Sequence, residues 1–241
     1  MLGAIVGDIV GSVYELNNRR SKDFPLIRED SHFTDDTILT IATADALMSA
    51  SDGNYNFAAK YREYGQKYPS SYGNRFQDWI NEVITGPYGS YGNGSAMRVS
   101  PIAWYFDDSE RVLEVAKASA EVTHDHPEGI KGAQATALAI LYAREGKEPS
   151  RIARDIEQMF GYDLSTPVEV LRETSNTTRP ARARFPRRSA VSWKPRISRT
   201  RSALRSASAG IPRRYRGNVE YCGGEVGYAG GDQEGGGEAD G

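Results

Sequence analysis

The sequence predicts an all-α protein, and three observations carry that expectation. Apolar residues recur at three- and four-residue spacing in one segment after another. Clusters of Pro, Gly, Ser and Asn stand between those segments, where helices stop and start. No stretch alternates apolar and polar residues as a half-buried strand would. The length of 241 residues allows one large or two small domains. A hydrophobic content of 39% and a charged content of 26% are ordinary for a soluble protein, while the mean hydropathy of -0.58 is low. Cys222 is the single cysteine, which excludes an internal disulfide framework and fits a reducing, cytoplasmic setting. No apolar run approaches the length of a bilayer span, and no membrane partner is expected. The opening residues Met1–Asp8 have no basic n-region, so they do not read as a signal peptide.

The net charge of -2 hides an asymmetry. Residues 179–216 hold 13 of the 30 Lys and Arg side chains and no acid, whereas residues 217–241 hold 10 of the 25 glycines and six acids. Residues 1–178 are left with 17 basic and 26 acidic side chains, a balance of -9. A break of this kind marks a domain boundary, expected near Asn176–Arg179. Two units follow: a helical domain over 1–178 and an Arg/Ser-rich, then Gly-rich, tail over 179–241. The tail is poor in apolar residues, which predicts disorder. Its basic stretch also fits nucleic acid, but on charge alone, because Phe185 and Trp193 are not arranged as stacking pairs. Nucleic acid is therefore the less favoured partner.

Residues 3–16 read as a buried helix with Ile5, Val6, Ile9, Val10 and Val13 on its apolar side. Gly3, Gly7 and Gly11 repeat every four residues, each costing about 1 kcal/mol relative to Ala, which points to close approach by a backbone or ligand. Asp8, Gly11, Ser12 and Glu15 share a small polar face. Its two carboxylates have two readings, a functional site or pairing with basic groups on neighbouring helices. The next helix is expected to begin at Thr34 or Asp35, in the stretch Phe33-Thr34-Asp35-Asp36-Thr37. At a helix start three neighbouring oxygens can converge, and one hydroxyl with two carboxylates suits Mg²⁺ or Mn²⁺. Beside that reading stands a simpler one, in which Thr34 or Asp35 caps the helix and the acids complement its dipole.

Amphipathic helices follow over 58–64 and 76–84, with aromatics expected in the core. Gly86–Arg98 is a glycine-rich loop leading into a helical run over 96–106. Such a loop lets backbone N–H groups approach an anion, with the helix start adding a favourable dipole. It lacks the Lys-Ser/Thr ending of a P-loop and the strand that precedes a dinucleotide fold. Helices are expected at 110–122 and 128–145, the second opened by Pro127, and then at 149–160 and 167–173. The connection Thr123-His124-Asp125-His126 holds two of the three histidines. Without companion zinc-type ligands, His124 reads as loop packing or ligand contact rather than a metal ligand.

Three segments, "GAIVGDIVGSVYE" at 3–15, "FTDDT" at 33–37 and "GNGSAMR" at 92–98, followed by "THDHPEG" at 123–129, together resemble the ADP-ribosylglycohydrolases. The resemblance, over about residues 1–178, implies an all-α fold around two Mg²⁺ ions. It implies hydrolysis of the glycosidic bond joining ADP-ribose to a protein side chain or a small acceptor, so the expected partner is an ADP-ribosylated protein or an ADP-ribose-containing small molecule. Carried over by position, Thr34, Asp35 and Asp36 are metal ligands. Glu15 is the gating or catalytic carboxylate, Asp36 also serves catalysis, and Asp8 supports the site. Gly92, Asn93, Gly94, Ser95 and Met97 line the diphosphate and ribose, with His124 nearby.

The chain departs from the family pattern at its second metal motif, Gly-Gly-Asp-x-Asp-Thr, which belongs in the C-terminal third and is absent. "AGGDQEGG" at 229–236 lacks the Asp-Thr and the following apolar helix. With two carboxylates and a hydroxyl, one or both ions should bind weakly, which implies an impaired hydrolase. A non-catalytic ADP-ribose-binding remnant is the alternative. Reverse translation offers an origin. Pro180–Phe185 and Val191–Pro212, read two nucleotides out of frame, can give "CQGSVP" and "LVEATDFEDAIRSAISLGGDS", the second of which resembles the missing family segment. Arg213–Val226 can give "DDTAATWSIAEA" in the remaining frame, which would require a second slip. The region from about 179 onward is therefore expected to be a frameshifted tail.

Overall fold

The computed structural model describes residues 1–14 and 24–164. Eight helices follow in order: α1 (Leu2–Ser12), α2 (Asp35–Met48), α3 (Phe57–Lys67), α4 (Asn74–Ile80), α5 (Ser100–Tyr105), α6 (Ser109–Glu121), α7 (Pro127–Arg144) and α8 (Pro149–Phe160). Among the described residues the single β feature is an isolated bridge between Ser51 and Asn54. The all-α expectation holds. The expected helix at 167–173 and the 179–241 tail lie outside the described residues.

Two helices form the centre. In α2, Thr37 to Thr40, Ala42 to Ala44, Ala46 and Leu47 are buried, and in α7 Ala133 and nearly every residue from Ala135 to Ala143. A helix buried over most of its surface needs small residues where neighbours approach and partners for its buried polar groups. The alanines of α7 meet the first need. Hydroxyl bonds meet the second: Thr43 donates to Leu39 O (2.9 Å) and meets the Tyr61 hydroxyl (3.0 Å), and Thr136 donates to Gly132 O (2.8 Å). Helix α3 packs on α2, α6 and α8 pack on α7, and α5 touches both central helices. Ile38, Leu39, Leu47, Ile102, Leu138, Ile140 and Leu141 are 3% exposed or less in one continuous core. Burial of each such side chain contributes about 1.5–3 kcal/mol.

The helix ends follow local chemistry. Asn56 caps Ala59 N of α3 at 3.1 Å, and Asp108 caps Arg111 N of α6 at 2.8 Å. Pro127 opens α7 behind His126, whose Nδ1 accepts from Glu128 N. Gly161 stops α8 in the left-handed region (φ 66°), which glycine adopts without strain.

Two expectations are corrected. The buried stripe of α1 is Gly3, Gly7 and Val10, while Ile5, Val6, Ile9 and Val13 are only partly covered. Gly3 and Gly7 stand on the inward side, whereas a Cβ at Gly11 would meet nothing within 4 Å, so the close approach expected of all three glycines does not extend to Gly11. The helical run expected from residue 96 begins instead at Ser100. Residues 93–98 form hydrogen-bonded turns, with Ala96 N and Met97 N both donating to Asn93 O. Pro101 fits the first turn of a helix, so α5 has six residues and opens in the core rather than at the glycine loop.

Helix α3 packs closely on α4, where a Cβ on Gly65 would stand 2.9 Å from Ile80 Cγ2. Gly65→Ala should destabilise the chain by about 1–3 kcal/mol through overpacking. The expected result is a melting temperature lowered by several degrees in calorimetry; an unchanged or raised value would show that the helices part without cost.

Candidate active site

The α1–α2 junction is built on one carboxylate. Asp8 Oδ2 accepts from Thr34 N (2.7 Å), Thr37 Oγ1 (2.6 Å) and Thr37 N (3.2 Å), and Oδ1 accepts from Thr34 Oγ1 (2.6 Å). These backbone donors belong to the start of α2, which has no intrahelical acceptors to offer them. The carboxylate is also an anion at the positive end of the helix. One turn further along α1, Ser12 Oγ accepts from His32 N at 3.1 Å. The polar face of α1 therefore docks on residues 32–37, and its acid is held by hydroxyls and N–H groups rather than by a base.

Thr34 is the N-cap, as one of the two sequence readings had it. Its Oγ1 donates to Asp8 and accepts from Asp36 N at 3.3 Å. A hydroxyl oxygen has two lone pairs, so one remains for a cation. Capping and metal ligation are compatible here. Asp35 and Asp36 are half-buried in the first turn of α2. Among the described residues no three acidic, histidine or cysteine side chains gather as a metal group. The donor set of Thr34, Asp35 and Asp36 fits one hydrated Mg²⁺, an ion that keeps several waters and takes one or two carboxylates. Glu15 lies outside the described residues.

The glycine loop docks on the α6–α7 connection. Ser95 is fully buried and its Oγ donates to Gly129 O at 2.8 Å, so its side chain fastens the loop. Gly89 N donates to Asp125 Oδ1 (2.6 Å), and Tyr88 N to Thr123 O (3.4 Å). Gly94 presses on His124, since a Cβ there would stand 2.9 Å from Nε2, and Gly92 lies nearby. Gly129 is equally constrained, with Ser90 O at 2.6 Å from its would-be Cβ. Asn93 and Met97 are half-buried in the same turns. Thr40, one turn after Asp36 on the same face of α2, donates to Met97 O at 3.4 Å. The acidic helix start and the glycine loop are thus neighbours along α2, about 6 Å of helix apart.

Residues that the sequence reading passed over hold this half together. Arg98 is fully buried, and its Nη2 donates to Ser119 O (2.7 Å) and Thr123 Oγ1 (2.8 Å). Its guanidinium lies 4.0 Å over the Tyr61 ring, and burial lowers its pKa. Tyr88, pushed up to about 12 by burial, packs 6.0 Å from the His124 ring. His124 itself is 5% exposed, with Nδ1 at 2.8 Å from Thr123 Oγ1. Burial first, and the Arg98 charge second, pull its pKa down to about 3, so the imidazole is neutral. The signal for Arg98 and Thr123 was present, because they end and begin the two quoted motifs. Nothing in the sequence showed that they meet.

A family model for ADP-ribosylglycohydrolase matches residues 1–229. The chain belongs to the ADP-ribosylglycohydrolase family. Curated relatives in the family include ADP-ribosylhydrolase ARH3 of Mus musculus, 29% identical over 67% of this chain and 52% of that protein. The Homo sapiens ARH3 is 27% identical over 67% of this chain and 53% of its own length. The chain spans about half the length of these relatives. Among solved structures, an ADP-ribosylglycohydrolase-related protein complex superposes with a TM-score of 0.52 at 19% identity, covering 94% of this chain and 78% of that one, which supports the fold. No helix among the described residues is long and apolar enough to cross a membrane.

Two outcomes test this geometry. Asp8→Asn replaces an acceptor with an NH₂ that faces donors, and should cost about 2–4 kcal/mol in urea unfolding, since bonds to a charged group are worth about 1.5–3 each. A loss below about half a kcal/mol would show that the junction holds without the charge. The second concerns pH. Unfolding returns His124 to its ordinary value of 6.5. Between that value and about 3 the unfolded chain binds the extra proton, so stability falls on acidification by up to about 1.4 kcal/mol per pH unit. His124→Gln should flatten that slope between pH 6 and 4, and equal slopes for both proteins would refute the neutral imidazole.

Proposed function

We propose that the chain binds ADP-ribose and hydrolyses its glycosidic bond to a protein side chain or small acceptor, with Mg²⁺, or alternatively Mn²⁺, held by Thr34, Asp35 and Asp36. The observation that supports this reading best is the adjacency along α2 of a hard-oxygen helix start and a glycine loop backed by His124. The curated relatives named ADP-ribosylhydrolase support it at the level of the reaction. On this reading the backbone of Gly92, Asn93, Gly94 and Ser95, with Met97 and the His124 ring, lines the diphosphate and ribose. Asp36 serves both metal and catalysis, Glu15 is the gating or catalytic carboxylate, and Asp8 supports the site by fixing Thr34. A bound divalent ion supplies charge stabilisation and activation of water.

A second reading, a non-catalytic ADP-ribose-binding remnant, is favoured by one observation. Two carboxylates and a hydroxyl serve one ion, and no third acidic side chain joins them among the described residues. Loss of the C-terminal metal motif by a frameshift after residue 178 accounts for that shortage, and resequencing the gene around codons 178–180 and 212–213 tests the shift. An unbroken frame with those codons would remove it.

Release of ADP-ribose from mixed ADP-ribosylated protein, measured with Mg²⁺ and with EDTA, tests the main proposal. Hydrolysis is expected with the metal and absent with EDTA, and Asp36→Asn should lower the rate by about 10²-fold or more. Uptake of ADP-ribose in calorimetry without hydrolysis in either buffer would establish the binding remnant instead.

A further inference from the structure

We propose that Asp125, which the reaction as read above leaves without a role, is a positioning residue for the glycine loop. Its carboxylate holds Gly89 and so sets residues 90–94, whose backbone N–H groups would meet the ligand. The proposal rests on the reading of that loop as the place of a diphosphate.

The loop is fastened to the α6–α7 connection at both ends. At its trailing end Ser95 Oγ donates to Gly129 O at 2.8 Å, and both residues are buried. At its leading end two backbone donors reach the connection. Tyr88 N stands 3.4 Å from Thr123 O, a long contact, whereas Gly89 N is 2.6 Å from Asp125 Oδ1. A bond to a carboxylate is shorter and about twice as strong as a neutral one, so the acid carries most of the hold at this end. Gly89 needs that hold. It is exposed and left-handed (φ 63°), and glycine has more backbone freedom to lose than any other residue. Packing does not confine it either, since a Cβ there would meet nothing within 4 Å.

Between these two pins, Gly92 N donates to Ser90 Oγ at 3.2 Å. The N–H groups of Ser90, Tyr91, Asn93 and Gly94 make no hydrogen bond among the described residues. Such donors bind an anion well when they are already held in one arrangement, because less freedom is then lost on binding. Charge is not what Asp125 contributes. A carboxylate beside the place of a diphosphate repels it, so the use of this side chain lies in the oxygen that accepts from Gly89. Asp125 thus acts on the ligand through the loop backbone.

Two variants separate the oxygen from the charge. Asp125→Ala removes the acceptor, and Asp125→Asn keeps an acceptor oxygen while removing the charge. Asp125→Ala should weaken ADP-ribose about tenfold in calorimetry, and Asp125→Asn should recover that loss to within about threefold. In turnover the loss should fall on KM with kcat kept, as for an interaction made equally in the ground and transition states. Without ligand, ¹⁵N relaxation should show residues 89–92 more mobile in Asp125→Ala and unchanged in Asp125→Asn. Melting temperatures should stay within about two degrees, because Asp125 and Gly89 are both exposed. Unchanged loop relaxation in Asp125→Ala would overturn the proposal, as would an Asp125→Asn that behaves like Asp125→Ala. Tighter binding by Asp125→Ala would also overturn it, by showing that the carboxylate only competes for the Gly89 N–H. If the loop loosens as expected and no form takes up ADP-ribose, the positioning role stands and the ligand reading fails.

Discussion

The structure depends on the carboxylate of Asp8, which receives four hydrogen bonds from Thr34 and Thr37 at the start of α2. A helix start leaves N–H groups without intrahelical acceptors, and an acid from another helix supplies them here. The same bonds orient Thr34, so that its hydroxyl points its proton at Asp8 and keeps a lone pair free. They also hold the Asp8 carboxylate at the N-terminus of α2. The junction therefore welds α1 to α2 and fixes the orientation of the helix start on which the proposed site is built.

The other half of the site solves the opposite problem. Arg98 is a buried charge with no acidic partner among the hydrogen bonds it makes. Burying such a charge is costly unless it is well bonded. The Tyr61 face, the Ser119 carbonyl and the Thr123 hydroxyl share part of the task, while Nε and Nη1 are buried with no hydrogen-bond partner among the described residues. Because none of these neutralises the guanidinium, its positive potential persists at the nearby glycine loop. Burial first, and that potential second, hold His124 neutral.

Much of the fold was legible because the helices announce themselves through spacing and end signals. Pro127 and Pro149 open α7 and α8, and Gly161 closes α8, as turn and cap chemistry requires. Residues 96–99 misled because apolar spacing continues through a segment whose backbone is taken up by turns around Asn93. The inward side of α1 misled for a related reason. A pattern reading assigns the largest apolar residues to the core, whereas the buried positions of α1 are Gly3, Gly7 and Val10. In the site, the motif residues were visible, but their division of labour was not. Thr37 looked like the end of a motif and is a partner of Asp8. Ser95 looked like a ligand contact and fastens the loop to Gly129. Pairings between residues 26 to 34 apart in the chain depend on how helices cross, which one-dimensional spacing does not encode.

Taken together, the two halves present opposite charge along one face of α2. Asp8, Asp35 and Asp36 gather negative charge at its first turn, and Thr40 joins the next turn to a loop that sits under the positive potential of Arg98. On the reading proposed above, a sugar diphosphate with a divalent ion would meet both halves, the ion at the helix start and the diphosphate at the loop. The polarity arises from the hydrogen bonds around Asp8 and Arg98, so the same contacts that hold the helices together set the charge on either side of Thr40.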